Sequence, residues 1–175
     1  IPSGNIPKEI GLLSNLIRLN LNNRWGNTKF TGEIPTEICN LTNLVYLNLS
    51  YNDLTGSIPP EIGHLTNLLF LLIGRTEITG EIPSTIGNLV DLRSLGLSFN
   101  NLSGTIPQEI GNLTKLHVLD MHYNELTGPL PSNIGNLQNL GVWHPEYYNP
   151  NFDTDFWPAL DFSHNQLTGP LPASI

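Results

Sequence analysis

Four side chains near the C-terminal end of the chain carry groups suited to metal binding or acid–base chemistry. They are two carboxylates and two imidazoles, at Asp120, His122, Asp161 and His164. Imidazole nitrogens and carboxylate oxygens are common ligands of divalent metals in proteins. One interpretation is a metal site; the other is a hydrophilic wall with a few cross-strand hydrogen bonds. We prefer the second, so no metal site and no catalytic residue is predicted here.

Residues 141–157 differ in composition from the rest of the chain, because six of the fourteen aromatic residues lie there beside three acids. Exposed rings beside carboxylates would form a platform for stacking sugars or docking a protein. Alternatively, the rings bury one another and cover the side of the molecule. The residues are Trp143, Tyr147, Tyr148, Phe152, Phe156, Trp157, Glu146, Asp153 and Asp155.

Oxygen-bearing side chains alternate within this segment, at Asn149, Asn151, Asp153 and Asp155. Alternating oxygen ligands are typical of calcium-binding loops. The segment lacks the glycine and the distal glutamate of a helix–loop–helix calcium site. Calcium therefore stays an alternative, and otherwise no cofactor is predicted.

The elements that position these residues repeat along the chain with a 24-residue period. The period is set by glycines that follow Thr or Ser and precede an Ile-Pro or Leu-Pro step. Two insertions break it, about four residues near 24–27 and about 17 residues within 141–157. The whole chain, residues 1–175, is therefore predicted to be one repeat domain of about seven full or partial repeats. The evenly spaced glycines are Gly32, Gly56, Gly80, Gly104 and Gly128.

Each repeat predicts one turn of a solenoid, because a single turn cannot bury its own apolar face and must stack on its neighbours. Leu47 and Leu49 alternate with Tyr46 and Asn48, which predicts a short strand with one buried and one solvated side. Equivalent strands of successive turns should pair in parallel and form one sheet on the concave face. The segment after each Ile-Pro step suits a short helical turn on the convex side.

Asparagines recur just after the strands, where an amide side chain can bond to the backbone of the turn. Stacked turns would align them in a ladder. Thr76 takes this position in one repeat and predicts a weaker or rearranged corner there. The asparagines are Asn52, Asn100, Asn124 and Asn165.

The side chains that flank the strands predict the composition of the concave surface. Its first turns are aromatic and basic, and its last turns carry the carboxylates and imidazoles described above. Such a mixed surface suits contact with a protein or a polysaccharide better than catalysis. The predicted ligand-binding residues are Tyr46, Tyr51, Phe70, Arg75, Phe99, Asp120, His122, Tyr123, Asp161 and His164, with Trp143, Tyr147, Tyr148 and Trp157 from the insertion.

Composition excludes several classes of function. The formal net charge is -8, and every Lys and Arg lies before residue 116, which argues against nucleic acid as a partner. The aliphatic run Leu68–Ile73 is far too short to cross a bilayer, so no membrane insertion is predicted. The single cysteine, Cys39, excludes an internal disulfide and is expected to be buried.

The repeat resembles the plant-specific class of leucine-rich repeats, with the pattern L-x-x-L-x-x-L-x-L-x-x-N-x-L-x-G-x-I-P over nearly the whole chain. The resemblance implies an α/β leucine-rich-repeat solenoid: a right-handed curved superhelix with a concave parallel β-sheet and short helical or 3-10 turns on the convex side. Members include receptor-like kinase ectodomains and polygalacturonase-inhibiting proteins, which implies an extracellular or cell-surface location. Paired cysteines at both ends, common in that class, are missing, which suggests part of a longer chain or a lineage without those disulfides.

The resulting prediction is a non-catalytic, receptor-like recognition module that binds a protein or polysaccharide through its concave face and residues 141–157. One alternative is a structural, adhesion or ice-binding array, since Thr42, Thr66 and Thr114 recur in one column, interrupted by Val90 and Gln138. A metal-dependent enzyme is a less favoured alternative, because no known catalytic motif is present. Four Asn-x-Ser/Thr sequons also arise from the repeat pattern itself, beginning at Asn40, Asn48, Asn101 and Asn112.

Overall fold

The Leu-x-Leu segments form the main sheet, as their alternating pattern predicts. The computed structural model describes residues 4–142 and 159–174, with strands numbered in chain order. All pairings in the main sheet are parallel and join each strand to the equivalent strand of the next turn. The strands are β2 (Arg18–Asn20), β4 (Tyr46–Asn48), β6 (Phe70–Leu72), β8 (Ser94–Gly96), β10 (Val118–Asp120) and β12 (Leu160–Asp161).

The long insertion leaves the register of the main sheet intact. Leu119 pairs with Leu160, and Asp120 pairs with Asp161, just as Leu95 pairs with Leu119 one turn earlier. After the insertion, the chain therefore resumes the repeat in the register of the preceding turns. As a result, the two aspartates and the residues that follow them lie on adjacent turns.

The predicted sheet of Leu-x-Leu strands is confirmed, and the structure adds strands that the sequence did not predict. A second row of short parallel strands follows the asparagine corners, because the Thr-Gly segments of adjacent turns also bond to each other; Thr79 N donates to Gly56 O at 2.7 Å. In segments such as Thr79–Glu81, the apolar alternation that signals a half-buried strand is missing. The strands are β1 (Gly4–Asn5), β3 (Phe30–Glu33), β5 (Asp53–Thr55), β7 (Thr79–Glu81), β9 (Asn101–Ser103), β11 (Thr127–Gly128) and β13 (Gln166–Leu167), in three small sheets.

The convex side carries short 3-10 helices, as the sequence predicts. In five repeats the residue before the helix is a proline with extended backbone, such as Pro83 at φ -66° and ψ 135°. Proline fixes this geometry and its missing N–H is not needed there. The helices are η1 (Lys8–Leu12), η2 (Thr36–Asn40), η3 (Pro60–His64), η4 (Ser84–Asn88), η5 (Gln108–Asn112) and η6 (Ile134–Asn136). No helix within residues 4–142 and 159–174 has the length and apolar character to span a membrane.

The core is one continuous stack of leucine and isoleucine side chains between the main sheet and the 3-10 helices. At the corner after each strand, an asparagine is bonded to the backbone of its own turn and of the preceding one. Asn100 Nδ2 donates to Leu97 O at 3.0 Å and Ile73 O at 2.6 Å, and its Oδ1 accepts from Ile78 N at 3.2 Å. Asn52, Asn124 and Asn165 make the same kinds of bond.

Thr76 interrupts this ladder and forms a different corner. Its side chain is 8% exposed, and its hydroxyl donates to Asn100 Oδ1 in the next turn. A threonine has one hydroxyl where asparagine has an amide and a carbonyl, so it cannot reproduce both bonds to neighbouring turns. The corner at Thr76 therefore has fewer side-chain bonds than those at Asn52 and Asn100.

Candidate binding surface

A continuous column of stacked side chains runs along the edge of the main sheet, where the strands end. We call it the arginine–aromatic column. Each member lies one turn after the previous one and contacts it through a ring face or a guanidinium. The column consists of Arg24, Tyr51, Arg75, Phe99, Tyr123 and His164.

The column alternates cations and rings at its N-terminal end. The Arg24 guanidinium lies 5.5 Å from the centroid of the Tyr51 ring. The Arg75 guanidinium, which comes from the next turn, also lies 5.5 Å from that centroid. Arg75 is in closer contact with Phe99, at 3.7 Å. A guanidinium over a ring face is attracted by the ring quadrupole. These contacts hold the two arginines in place at the edge of the concave face.

The C-terminal end of the column is a pure ring stack. The Phe99 and Tyr123 centroids are 4.6 Å apart with planes inclined by 14°, and those of Tyr123 and His164 are 3.9 Å apart at 7°. Stacking of this kind covers the faces of the internal rings and leaves their edges to solvent. Tyr123 is nevertheless 45% exposed, so its edge is open to a partner.

The backbone at the column is held in a conformation unusual for residues with side chains. Tyr51, Arg75, Phe99, Tyr123 and His164 all have positive φ, between 52° and 62°. The left-handed region costs such residues free energy, so it persists where surrounding bonds enforce it. Here, for example, Arg75 N donates to Ser98 O at 2.8 Å and Phe99 N to His122 O at 2.9 Å. The same strained turn, repeated, aims these five side chains along one line.

A second aromatic group lies on the first turns of the main sheet. The Arg18 guanidinium lies 3.9 Å from the Tyr46 centroid, and Phe70 packs on Tyr46 with centroids 6.0 Å apart. Covered in this way, Tyr46 is only 5% exposed, and burial raises the pKa of its hydroxyl, to which Asn48 Nδ2 donates at 3.1 Å. The prediction of a solvated side for this strand is therefore wrong at Tyr46 and Asn48. Both residues are buried, because neighbouring turns cover them.

The carboxylates and imidazoles of the last turns come together only in part. His122 Nδ1 lies 2.5 Å from Asp120 Oδ1 and 3.7 Å from Asp161 Oδ2. Asp120 is 3% exposed, so it is a buried acid and not an open contact residue. His164 is held in the column by Tyr123.

The carboxylate of Asp161 is kept ionised by its surroundings. Burial opposes the charge, but bonds from Ser163 and the nearby imidazoles of His122 and His164 outweigh burial, so the pKa of Asp161 lies below its ordinary value. Ser163 N donates to Asp161 Oδ1 at 2.8 Å. This end of the surface is therefore acidic at neutral pH, whereas Arg24 and Arg75 make the other end basic.

Some predicted contact residues lie outside the residues that the structure describes. These are Trp143, Tyr147, Tyr148 and Trp157, together with the candidate calcium ligands Asn149, Asn151, Asp153 and Asp155. The sequence did not predict Arg24 and Trp25 as contact residues, although the break in the repeat marked their position. Trp25 is 86% exposed and lies beside Arg24, whose guanidinium is 4.8 Å from its ring.

Stacked turns with a concave parallel sheet, convex 3-10 helices and an asparagine ladder define a leucine-rich-repeat solenoid. The family model described as Leucine Rich Repeat matches residues 43–65, 91–113, 115–137 and 159–175. No curated protein sequence matches the chain.

Solved structures of plant receptor ectodomains match nearly the whole chain. The GASSHO1/SCHENGEN3 receptor kinase ectodomain of Arabidopsis thaliana, in complex with CASPARIAN STRIP INTEGRITY FACTOR 2, is 42% identical, with a TM-score of 0.84. That match covers 98% of this chain and 18% of the ectodomain. The Arabidopsis HAESA ectodomain, in complex with an extended IDA peptide hormone ligand, is 34% identical, with a TM-score of 0.78. That match covers 98% of this chain and 26% of the HAESA ectodomain.

A shorter ectodomain is matched over most of its own length. The BIR2 ectodomain of Arabidopsis thaliana is 31% identical, with a TM-score of 0.67, over 90% of this chain and 72% of that one. The chain belongs to the plant-type leucine-rich-repeat family, and among the receptors with bound ligands it spans about a quarter of the ectodomain or less.

Proposed function

We propose that this chain is a non-catalytic, extracellular recognition segment that binds an extended peptide or protein segment along the arginine–aromatic column. The observation that carries the proposal is the continuity of the column, from Arg24 to His164, along one edge of the concave sheet. The extracellular location is supported by the relatives, which include ectodomains of plant receptor kinases. Two of those ectodomains were solved in complex with a ligand, and in one of them the ligand is a peptide hormone.

The geometry of the column supports a peptide over a polysaccharide. A sugar ring stacks on an open aromatic face, whereas the faces of Phe99 and Tyr123 are covered by their neighbours in the column. The column instead offers ring edges, two phenol hydroxyls and two guanidinium groups. These groups match the carbonyls, carboxylates and side chains of a peptide, and rigid aromatic and arginine residues dominate many protein interfaces.

The charges of the surface indicate where the charged groups of a bound peptide would lie. Arg24 and Arg75 belong to the N-terminal half of the column, while Asp161 stays ionised at the other end. Complementary charge steers encounter and fixes the register of a bound partner. We therefore expect a ligand with acidic groups over Arg24 and Arg75. Residues 141–157 remain a proposed second contact, supported by their aromatic composition and by their place before β12, the last strand of the main sheet.

The experiment is a binding measurement on two immobilised sets, synthetic linear peptides with varied charge and plant cell-wall oligosaccharides. We expect the full chain to bind acidic peptides and Arg75→Ala to weaken that binding at least tenfold. Lys8→Ala is the matched control, since it removes one exposed positive charge from η1 on the other side of the molecule. Equal affinities of Arg75→Ala and Lys8→Ala would refute the role of the column. Binding to oligosaccharides alone would refute the choice of ligand.

The contribution of the insertion needs its own variant. Replacing residues 143–158 with a Gly-Ser linker of the same length keeps β10 and β12 connected. A loss of peptide affinity, with the Arg75 effect retained, would support a shared surface. Unchanged affinity would restrict the site to the column.

A further inference from the structure

We propose that Asp120, His122 and Asp161 form a binding site for one divalent transition-metal ion, of the zinc class, at the C-terminal end of the main sheet. One ligand atom from each residue can be chosen so that all three lie within 4.8 Å of one another. The residues come from the ends of two adjacent strands, β10 and β12, which fixes their backbone positions. The site lies at the acidic end of the proposed peptide surface, and Arg75 is not one of its ligands.

The two carboxylates need a positive partner because they are in register. Asp120 and Asp161 are Cα partners in the parallel pair of β10 and β12. Like charges directly opposite each other in a sheet are destabilising. No Lys or Arg follows Lys115 in the sequence, and Lys115 itself pairs with Asp91. Among the residues after Lys115, only histidine can supply a positive side chain to this pair.

A protonated imidazole satisfies only one of the two acids in this geometry. His122 Nδ1 faces both, but it is 2.5 Å from Asp120 Oδ1 and 3.7 Å from Asp161 Oδ2. The longer distance exceeds that of a hydrogen bond. A metal ion can bond to all three ligand atoms at once, with neutral imidazole as one ligand. Tetrahedral zinc with bonds of about 2.0–2.2 Å separates its ligand atoms by roughly 3.3 Å, between the two distances here.

Neighbouring groups orient the three ligands, as outer groups do in known metal sites. Ser163 N donates to Asp161 Oδ1 at 2.8 Å, which leaves Oδ2 as the atom closest to His122. The Phe99 ring packs edge-on against the His122 imidazole, with centroids 4.7 Å apart. The side chains of His122 and Asp161 are 19% and 24% exposed, so an ion can enter from solvent.

The experiment is calorimetric titration of Zn²⁺ into the full chain after treatment with a chelator, at pH 7. We expect one zinc ion per chain, with at least tenfold weaker binding in both His122→Ala and Asp161→Asn. The matched control is His64→Ala, because His64 is exposed on η3 on the convex side and far from the cluster. Substitution with Co²⁺ should give the visible absorption of a tetrahedral site, and that absorption should vanish in both cluster variants.

Two results would overturn the site. One is a lack of saturable zinc binding by the unmodified chain. The other is undiminished affinity in either His122→Ala or Asp161→Asn, which would place the bound metal elsewhere. Thermal unfolding shows whether each variant folds. If His122→Ala fails to fold, Asp161→Asn still tests the site, because it preserves the shape of a side chain that is 24% exposed.

Discussion

Tyr123 and His164 stack with their ring centroids 3.9 Å apart and their planes inclined by 7°, although the long insertion lies between them in the sequence. The stack forms because the strands that precede the two residues stay in register, Leu119 with Leu160 and Asp120 with Asp161. An insertion between turns changes the loop but not the column. The recognition surface therefore extends across the break in the repeat.

The column predicts an unusual order of stability among substitutions at Tyr123, whose φ is 52°. Tyr123→Ala and Tyr123→Gly both remove the ring stack, but only glycine adopts the left-handed region without a steric cost. We expect the glycine variant to be more stable than the alanine variant by about 1 kcal/mol. Urea unfolding of the two variants measures the difference directly. An alanine variant as stable as the glycine variant would show that the turn is not strained.

The asparagine ladder predicts a large effect at Asn100. Asn100→Ala leaves the backbone groups of Ile73, Leu97 and Ile78 without their side-chain partner. Each buried group that loses its bond costs roughly 1–3 kcal/mol, so we expect a total loss of about 3 kcal/mol. Asn101→Ala, at the exposed neighbour, serves as the control and should change stability by less than about 0.5 kcal/mol.

The same ladder predicts a gain at Thr76. Thr76→Asn restores the donor and acceptor that this corner lacks, and we expect a stabilisation of about 1 kcal/mol. Thermal or urea unfolding of the single variant tests this. A destabilised Thr76→Asn would mean that the bond from Thr76 to Asn100 is the better arrangement for this pair of turns.

Much of the scaffold could be predicted from the sequence, because the 24-residue repeat fixes the positions of both the core side chains and the turns. The evenly spaced glycines that set the period, such as Gly56 and Gly80, have positive φ, 73° and 77°. The Leu-x-Leu steps form the main sheet. The second row of strands could not be read in this way, since segments such as Thr79–Glu81 pair through backbone bonds and carry no apolar alternation.

The surface was predictable in part. Position in the repeat assigns Tyr51, Arg75 and Phe99 to one line, but the stacking depends on distances between turns that the spacing does not contain. Arg24 lies in the short insertion, and its guanidinium reaches the Tyr51 ring at 5.5 Å. Tyr46 was expected on an open wall and is buried instead, since Arg18 covers its ring.

Close packing of the 3-10 helices makes Gly87 sensitive to any side chain. A Cβ at Gly87 would lie 2.5 Å from Glu109 Cβ and 2.7 Å from Glu109 O in the next turn. Forcing these atoms apart should cost about 1–3 kcal/mol in Gly87→Ala. Gly4→Ala is the control, because nothing lies within 4 Å of a Cβ there. Equal midpoints of chemical unfolding for the two variants would contradict the tight contact.

Exposure separates the four glycosylation sequons. Asn40, Asn101 and Asn112 are exposed, whereas Asn48 is 5% exposed and donates to the Tyr46 hydroxyl. If the chain is secreted as proposed, we expect glycans on the three exposed asparagines and none on Asn48. Mass spectrometry of the chain secreted from plant cells measures the occupancy, and Thr42→Ala should abolish the signal at Asn40 alone. A glycan on Asn48 in folded protein would contradict its buried position.

The buried thiol of Cys39 should affect two measurements, its labelling by disulfide reagents and the pH dependence of the free energy of unfolding. Burial, and secondarily the charge of Glu61, raise the pKa of its thiol from 9.0 to about 12. Only the thiolate reacts with disulfide reagents, so we expect no labelling at pH 8 in the folded chain and full labelling in urea. Because the folded pKa lies above the unfolded one, the thiol favours the folded state below pH 9, and this contribution is lost as the pH rises towards 12. The free energy of unfolding should thus fall more steeply between pH 9 and 12 than in Cys39→Ala, in which the other titrating groups are unchanged. Parallel slopes in the two proteins, or rapid labelling of the folded chain, would contradict a buried thiol.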